Sequence, residues 1–179
     1  MKKFLSKKMM LLPPFEPFSM LFTESGTFEK PKHCKKLTVK VIGAGGHGGA
    51  GGGMTMWGGP GGIGGTVVKI FEGEELKNLS AVIDVVVGVC PSATGAAGQN
   101  SSFNNEVIAY GGGGGGNAGF GYNGSTGYNG SGAGGDVTVG APAADRTYDG
   151  VVYGKGGSGT HGSGGGYPGV QGCVFIIAE

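Results

Sequence analysis

An all-β fold, a sandwich carrying long glycine-rich loops that are partly polyproline II helices, is predicted by three features of this sequence. Glycine supplies 45 of 179 residues, about a quarter of the chain against roughly 7% in ordinary proteins. These glycines are clustered, and between the clusters stand strongly apolar segments, TVVKIF, AVIDVVVGV, EVIAY and CVFIIA, of β-branched and aromatic character. Within the clusters glycine recurs at every third place, which is the period of a polyproline II helix.

The pivotal stretch is Leu37 to Gly65. Leu37, Val39 and Val41 alternate with Thr38, Lys40 and Ile42, the period of a half-buried strand. Residues 43 to 65 then carry 14 glycines in 23 positions. Each interior glycine costs a helix about 0.5–1 kcal/mol relative to alanine, so no α-helix forms there. Gly43, Gly45 and Gly48 spell the G-x-G-x-x-G dinucleotide fingerprint, but no helix follows and no carboxylate stands in Ile63 to Val68, where a ribose-binding acid belongs. Nucleotide binding is therefore not expected.

Residues 1 to 20 read as an extended docking leader and 21 to 179 as one glycine-rich sandwich domain. Met1 to Lys40 carries nine lysines and three glutamates, while the remainder of the chain is net acidic. The leader lacks arginine and holds Pro13, Pro14 and Pro17, which favours docking on a protein through Leu11, Leu12, Phe15 and Phe18 over binding nucleic acid. Lys7 and Lys8 interrupt its apolar residues, so it is no secretion signal, and no apolar run reaches the length of a transmembrane segment.

Met20 to Pro31 reads as a strand or hairpin turning at Ser25-Gly26, and Thr66 to Phe71 as a strand that the charged GEELKN brings to a turn. Ala81 to Val89 is apolar on nearly every position and is expected to be covered on both faces. Pro91 to Asn100 is a loop of small residues, and Ser101 to Tyr110 a strand pair or bent strand. Asp136 to Val139, Val151 to Tyr153 and Val174 to Ile177 are expected to return the chain to the sheet. The last is apolar on both faces, which calls for a central position or a subunit contact.

Glycine is spaced by three in 45, 48 and 51, in 121, 124, 127 and 130, and in 156, 159, 162 and 165, and GYNGST is followed directly by GYNGSG. Polyproline II helices have no internal hydrogen bonds, so several runs must satisfy one another in a packed bundle or stay solvated.

Cys34, Cys90 and Cys173 are too few and too scattered for a disulfide framework or a zinc site. His33, His47 and His161 lie in unrelated segments with no nucleophile motif, so the chain is expected to be non-enzymatic, without cofactor or metal. Large side chains in the glycine blocks are the candidate binding residues, because loops on a rigid scaffold carry recognition and aromatics do so at low entropic cost. They are Met54, Met56 and Trp57, then Phe120, Tyr122 and Tyr128, then Tyr153, His161 and Tyr167, with Tyr148 nearby.

Ser25-Gly26-Thr27-Phe28 with Pro31, VKVIGAGGHGG, VVVGV at 85 to 89, Ser101-Ser102-Phe103, IAYGGGGGG and PGVQGCVFII together resemble the glycine-rich domain of tailed-phage tail fibres and adhesins. The strand and glycine-run plan is also similar to the glycine-rich extracellular module of anaplastic lymphoma kinase receptors. The resemblance implies a TNF-like or jelly-roll β-sandwich. It further implies a bacteriophage virion protein at the fibre tip, docked to other virion proteins by its leader and touching a bacterial glycan or outer-membrane protein through its loops. A homo-oligomer, a trimer by analogy with fibres, would suit it. The alternative is a structural virion protein, a decoration or connector subunit, without receptor binding. Cys90-Pro91-Ser92 departs from the family, which often continues its VGV strand with more glycine.

Overall fold

Two five-stranded antiparallel sheets face each other in a computed structural model that describes residues 15–53, 55–119 and 123–179. The first sheet is formed by β1 (Phe18–Phe22), β3 (Lys36–Ile42), β4 (Thr66–Glu72), β9 (Asp136–Thr138) and β12 (Cys173–Ala178), in the order β1-β12-β3-β4-β9. The second holds β2 (Gly26–Glu29), β5 (Val82–Val86), β6 (Ser101–Phe103), β7 (Val107–Ala109) and β8 (Gly132–Ala133), in chain order. The all-β sandwich expected from the apolar segments is what the chain forms.

Alternation decides which residues become core. Leu37, Val39 and Val41 of β3 point inward with Val67 and Phe71 of β4 and Val174 and Ile176 of β12, and all are buried. The opposite sheet contributes Phe28, Ile83, Val85, Phe103 and Val107. Phe103 is the hinge of this core, its ring centroid 6.2 Å from Phe28 and 5.8 Å from Phe71, so it bridges the sheets. Each such side chain contributes about 1.5–3 kcal/mol on burial.

β12 occupies a central position between β1 and β3, with Val174 opposite Val41 and Phe22. Its doubly apolar pattern is met within one chain. Val174 and Ile176 face the inter-sheet core, while Cys173 and Phe175 face a second, smaller cluster on the outer side of the sheet.

Five expectations require correction. β1 and β2 do not pair as a hairpin; they lie in opposite sheets, because Ser25-Gly26 turns the chain across the edge of the sandwich. β1 also begins at Phe18, so its first residues lie inside the stretch read as leader. GEELKN is a short helix, α1 (Gly73–Asn78), rather than a simple turn. It buries Leu76, and Lys30 Nζ donates to the otherwise unpaired carbonyls of Leu76, at 2.8 Å, and Leu79. β5 is covered on one face only, since Ile83 and Val85 are buried while Val82 and Val86 face solvent, as one face of an antiparallel sheet commonly does. Val151–Val152 does not rejoin either sheet; as β11 it pairs with β10 (Thr147–Tyr148) in a small ribbon. That ribbon lies against the outer face of the first sheet, where Tyr148 stacks on Phe175 at 4.7 Å and Tyr153 packs with Ile42 and Cys173.

The glycine blocks form a bundle of extended helices at one end of the sandwich, here numbered p1 (43–52), p2 (56–65), p3 (110–118), p4 (123–131), p5 (154–160) and p6 (164–170). Their hydrogen bonds advance three residues at a time. In p1 the amides of Gly43, Gly46 and Gly49 donate to Gly65, Gly62 and Gly59 of p2, and those of Gly45, Gly48 and Gly51 to Val170, Tyr167 and Gly164 of p6. Those of Ala44 and His47 donate to Gln99 and Ala96. Three neighbours served in rotation is the signature of a helix with three residues per turn, so the spacing read from the sequence is the spacing of the bonds.

Helix p1 is the axis of the bundle, and its tight packing explains a pattern denser than one glycine in three. A Cβ on Gly48 would lie 2.0 Å from the Ser158 carbonyl oxygen, and one on Gly49 would lie 2.0 Å from that of Gly116. Only the third face, Ala44, His47 and Ala50, has room for side chains. In p2 the spare face is Trp57, Pro60 and Ile63, which looks outward.

Ordering a residue costs about 1–2 kcal/mol of backbone entropy, more for glycine, whereas a backbone hydrogen bond returns about 0.5–1.5 kcal/mol net. With about one bond per residue, the bundle does not stabilise itself by hydrogen bonding alone. Its order rests on β3, β4, β7, β8 and β12, which hold the helix ends in register.

Candidate functional site

The sheet register distinguishes two ends of the molecule. Ile42 at the bundle end of β3 is paired with Thr66 and Cys173, whereas Phe18 is paired with Ala178, at the opposite end of β12. The chain therefore enters the sandwich at the end remote from the glycine bundle.

At that entry end, Phe15 is half-buried against the main core and its ring lies 6.2 Å from that of Phe18, which remains exposed on an edge strand. Of the leader residues read as docking contacts, Leu11 and Leu12 lie outside the described residues. Phe15 is attached to its own domain and Phe18 is available on the sheet edge.

At the far end of the bundle the turn from p1 to p2 places Met56 and Trp57 at the tip, where the Gly52 amide donates to the Met56 carbonyl. Trp57 is 55% exposed and its ring lies 4.7 Å from that of His161, the two residues also sharing a β-bridge. Sequence reading placed these residues in separate glycine blocks; p2 and p5 bring them together, because the amides of Gly58, Gly61 and Gly64 donate to Thr160, Gly157 and Gly154. Met54 lies outside the described residues.

The second candidate group divides. Phe120 and Tyr122 lie outside the described residues, while Tyr128 projects from p4, is 73% exposed and lays its ring against Gly113 of p3. Beside it is an open groove of about 410 Å³, lined by Ala97, Gly98, Asn100, Tyr110, Tyr128 and Ser131 among others. Tyr110 was not singled out by sequence reading. It follows β7 directly, before six glycines, and is 39% exposed.

Tyr167 is exposed on p6. Tyr153 is a correction. It is buried, packed with Ile42 and Cys173 and with its ring 6.3 Å from Tyr148, so it belongs to the second core cluster and offers no surface. The glycines beside it made it look like a loop residue, but the ribbon β10–β11 folds it onto the sheet. Burial pushes the Tyr148 hydroxyl up to about 12 and raises that of Tyr153. Beneath them Arg146 is buried, donating from Nε to the Ala141 carbonyl at 2.8 Å and from Nη1 to the Tyr153 carbonyl at 2.6 Å, and burial lowers its pKa.

His47 is likewise no surface histidine. It is buried on the third face of p1, with Nδ1 donating to the Gly48 carbonyl at 2.8 Å. The fingerprint glycines 43, 45 and 48 have no amide to offer a phosphate, because all three donate within the bundle. The cysteines are free; Cys173 is buried, and burial pushes its thiol up to about 12. Cys90 Sγ accepts the Gly169 amide at 3.1 Å, tying the 90–100 segment to p6. Among the described residues no group of three His, Cys, Asp or Glu side chains is placed to hold a metal ion, and no helix is long and apolar enough to cross a membrane.

Four asparagines carry a role that was missed. Asn117, Asn123, Asn129 and Asn100 accept through Oδ1 the amides of Ala50, Trp57, Ile63 and Gly111, at 2.8, 2.9, 3.0 and 3.0 Å. They seal the outward amides that no neighbouring helix reaches. The doubled YNGS of the hexapeptide repeat was the available signal.

A sandwich whose glycine runs form a period-three bundle at one end defines a class, a glycine-rich domain. A family profile described as the glycine-rich domain matches residues 23–178, and the chain belongs to that family. No curated protein sequence matches it significantly.

Proposed function

We propose that this chain is a non-enzymatic receptor-binding protein of a bacteriophage virion, a tail-fibre-tip adhesin. It is held in the particle through its N-terminal segment and Phe18, and presents the glycine bundle to a bacterial surface component. The observation that carries the reading is the polarity of the domain: the chain enters at one end of the first sheet, and the exposed Trp57–His161 pair stands on the bundle beyond the other. Membership of the glycine-rich family and the resemblance to phage fibre and adhesin domains support it.

The bundle suits presentation. Its amides are spent internally, so specificity falls to the side chains on the spare faces, which can vary without disturbing the glycine packing. An exposed aromatic pair is a rigid anchor that loses little entropy on contact.

The test is saturable adsorption of the purified chain to a panel of bacterial cells, with its presence in particles followed in parallel. Adsorption to some strains that is lost in Trp57→Ala, with the unfolding midpoint unchanged, is the expected result. Presence in particles without adsorption to any strain would assign the alternative, a decoration or connector subunit. Absence from particles would overturn both.

A further inference from the structure

We infer that the groove between Tyr110 and Tyr128 is a saccharide subsite that takes a neutral pyranose unit. The inference rests on the adhesin reading and names the chemistry of one contact. The groove lies over the start of p3, walled on one side by residues 97–100 and on the other by residues 128–131. Its volume, about 410 Å³, falls within the range of about 300–1,000 Å³ typical of small-molecule sites.

No charged side chain lines it. An ionic ligand would lose hydration there without gaining a partner, so the groove selects against charge. What it offers are fixed neutral donors and acceptors. Asn100 and Asn129 each use Oδ1 to accept a backbone amide, from Gly111 and Ile63, both at 3.0 Å. That bond fixes which end of each side-chain amide faces the protein; it leaves the Nδ2 protons of Asn100 as donors at the groove, while Nδ2 of Asn129 lies against Gly140. The Ser131 hydroxyl adds a group that both donates and accepts. The Gly111 carbonyl, to which no backbone amide donates among the described residues, adds an acceptor.

The apolar side of the match comes from the tyrosines, 39% and 73% exposed at 110 and 128. The Tyr128 ring is held against Gly113, where an added Cβ would stand 2.7 Å from its ring carbons. Its free face is thus positioned before any ligand arrives, which lowers the ordering cost of binding. An aromatic face carries negative charge density and favours the weakly positive C–H face of a sugar, while hydroxyls at the ring edge meet the amides. Aromatic face, neutral amides and absence of charge together describe a hexose or N-acetylhexosamine more closely than a peptide or nucleotide.

The experiment is a titration of the full chain, followed by amide-resolved NMR, with glucose, galactose and N-acetylglucosamine, and with glucuronate as the charged counterpart. The expected result is saturable millimolar shifts for at least one neutral sugar, centred on Gly111, Tyr128 and the side-chain NH2 group of Asn100, with glucuronate weaker. Tyr128→Ala, whose backbone bonds are untouched, should weaken binding about tenfold or more, and Tyr128→Phe should retain it. Absence of groove shifts with all three neutral sugars, or unchanged binding in Tyr128→Ala, overturns the subsite. A chain that adsorbs to cells without sugar shifts loses only this inference, whereas sugar shifts without adsorption sink the adhesin reading and leave the subsite standing.

Discussion

The side-chain oxygen of Asn129 accepts the amide of Ile63 at 3.0 Å, and six residues earlier in the same glycine helix Asn123 does the same for Trp57 at 2.9 Å. Helices p2 and p4 run parallel, since Gly124, Gly127 and Gly130 donate to Trp57, Pro60 and Ile63. The outward residues of p2 therefore present an amide, then a proline with none, then an amide again. A repeat of six residues in p4, with asparagine once per repeat, matches that demand: Thr126 stands in the middle place, where Pro60 needs no acceptor.

Asn123→Ala should cost about 0.5–1.5 kcal/mol by leaving the Trp57 amide without its acceptor, while Thr126→Ala should be close to neutral. Amide hydrogen exchange checks this residue by residue. Faster exchange at Trp57, with Ile63 unchanged, is the expected pattern.

Gly48→Ala places a methyl carbon 2.0 Å from the Ser158 carbonyl oxygen, and because the obstacle is backbone the two helices must separate. A loss of about 3 kcal/mol or more is expected, at the upper end of overpacking costs. Gly164→Ala, whose nearest neighbour atom would be 3.6 Å away, should be tolerated. Urea unfolding of the two variants separates close packing from simple glycine content.

Arg146→Met removes the bonds to the Ala141 and Tyr153 carbonyls while keeping much of the apolar stem. Two buried acceptors then lose a charged donor, worth about 2–3 kcal/mol together. The ribbon Thr147–Val152 should loosen from the first sheet, which proteolysis and exchange at Tyr153 would register before any change in the main core.

Burial raises the Cys173 thiol and the Tyr148 hydroxyl to about 12 each, from ordinary values of 9.0 and 10.0. Both groups are neutral in the fold. Their contribution is complete below about pH 8, where the unfolded groups also hold their protons, and is lost as pH rises toward 12, because the unfolded chain ionises first. The unfolding midpoint should be flat from neutral pH to about 8 and fall beyond it. Cys173 should resist thiol reagents in the native state, while Cys34, half-buried, reacts sooner.

Much of this architecture is legible in the residues themselves. Alternation in Leu37–Ile42 identifies a strand and its inward face, the apolar run Val174–Ile177 identifies a strand without saying which face is inner, and glycine at every third place identifies helices with three residues per turn that must bond to one another. Tyr153 was misread because a side chain flanked by glycine resembles a loop residue, and only the position of its backbone within the ribbon decides whether it is covered. The asparagine seals were missed because each depends on an amide more than sixty residues away, or, for Asn100, on one across the groove.

What the sequence by itself determines is local: a strand or an extended glycine helix follows from period and composition, because side-chain alternation and the absence of Cβ atoms act within a few residues. What only the tertiary structure decides is adjacency. Trp57 meets His161, Tyr110 and Tyr128 line one groove, and p1 rather than another run becomes the axis, because each glycine helix takes its hydrogen-bond partners from segments far off in the chain. No local pattern encodes which of several nearly identical glycine runs those partners will be; the pairing of β3, β4, β7, β8 and β12 selects them by fixing where each run begins and ends.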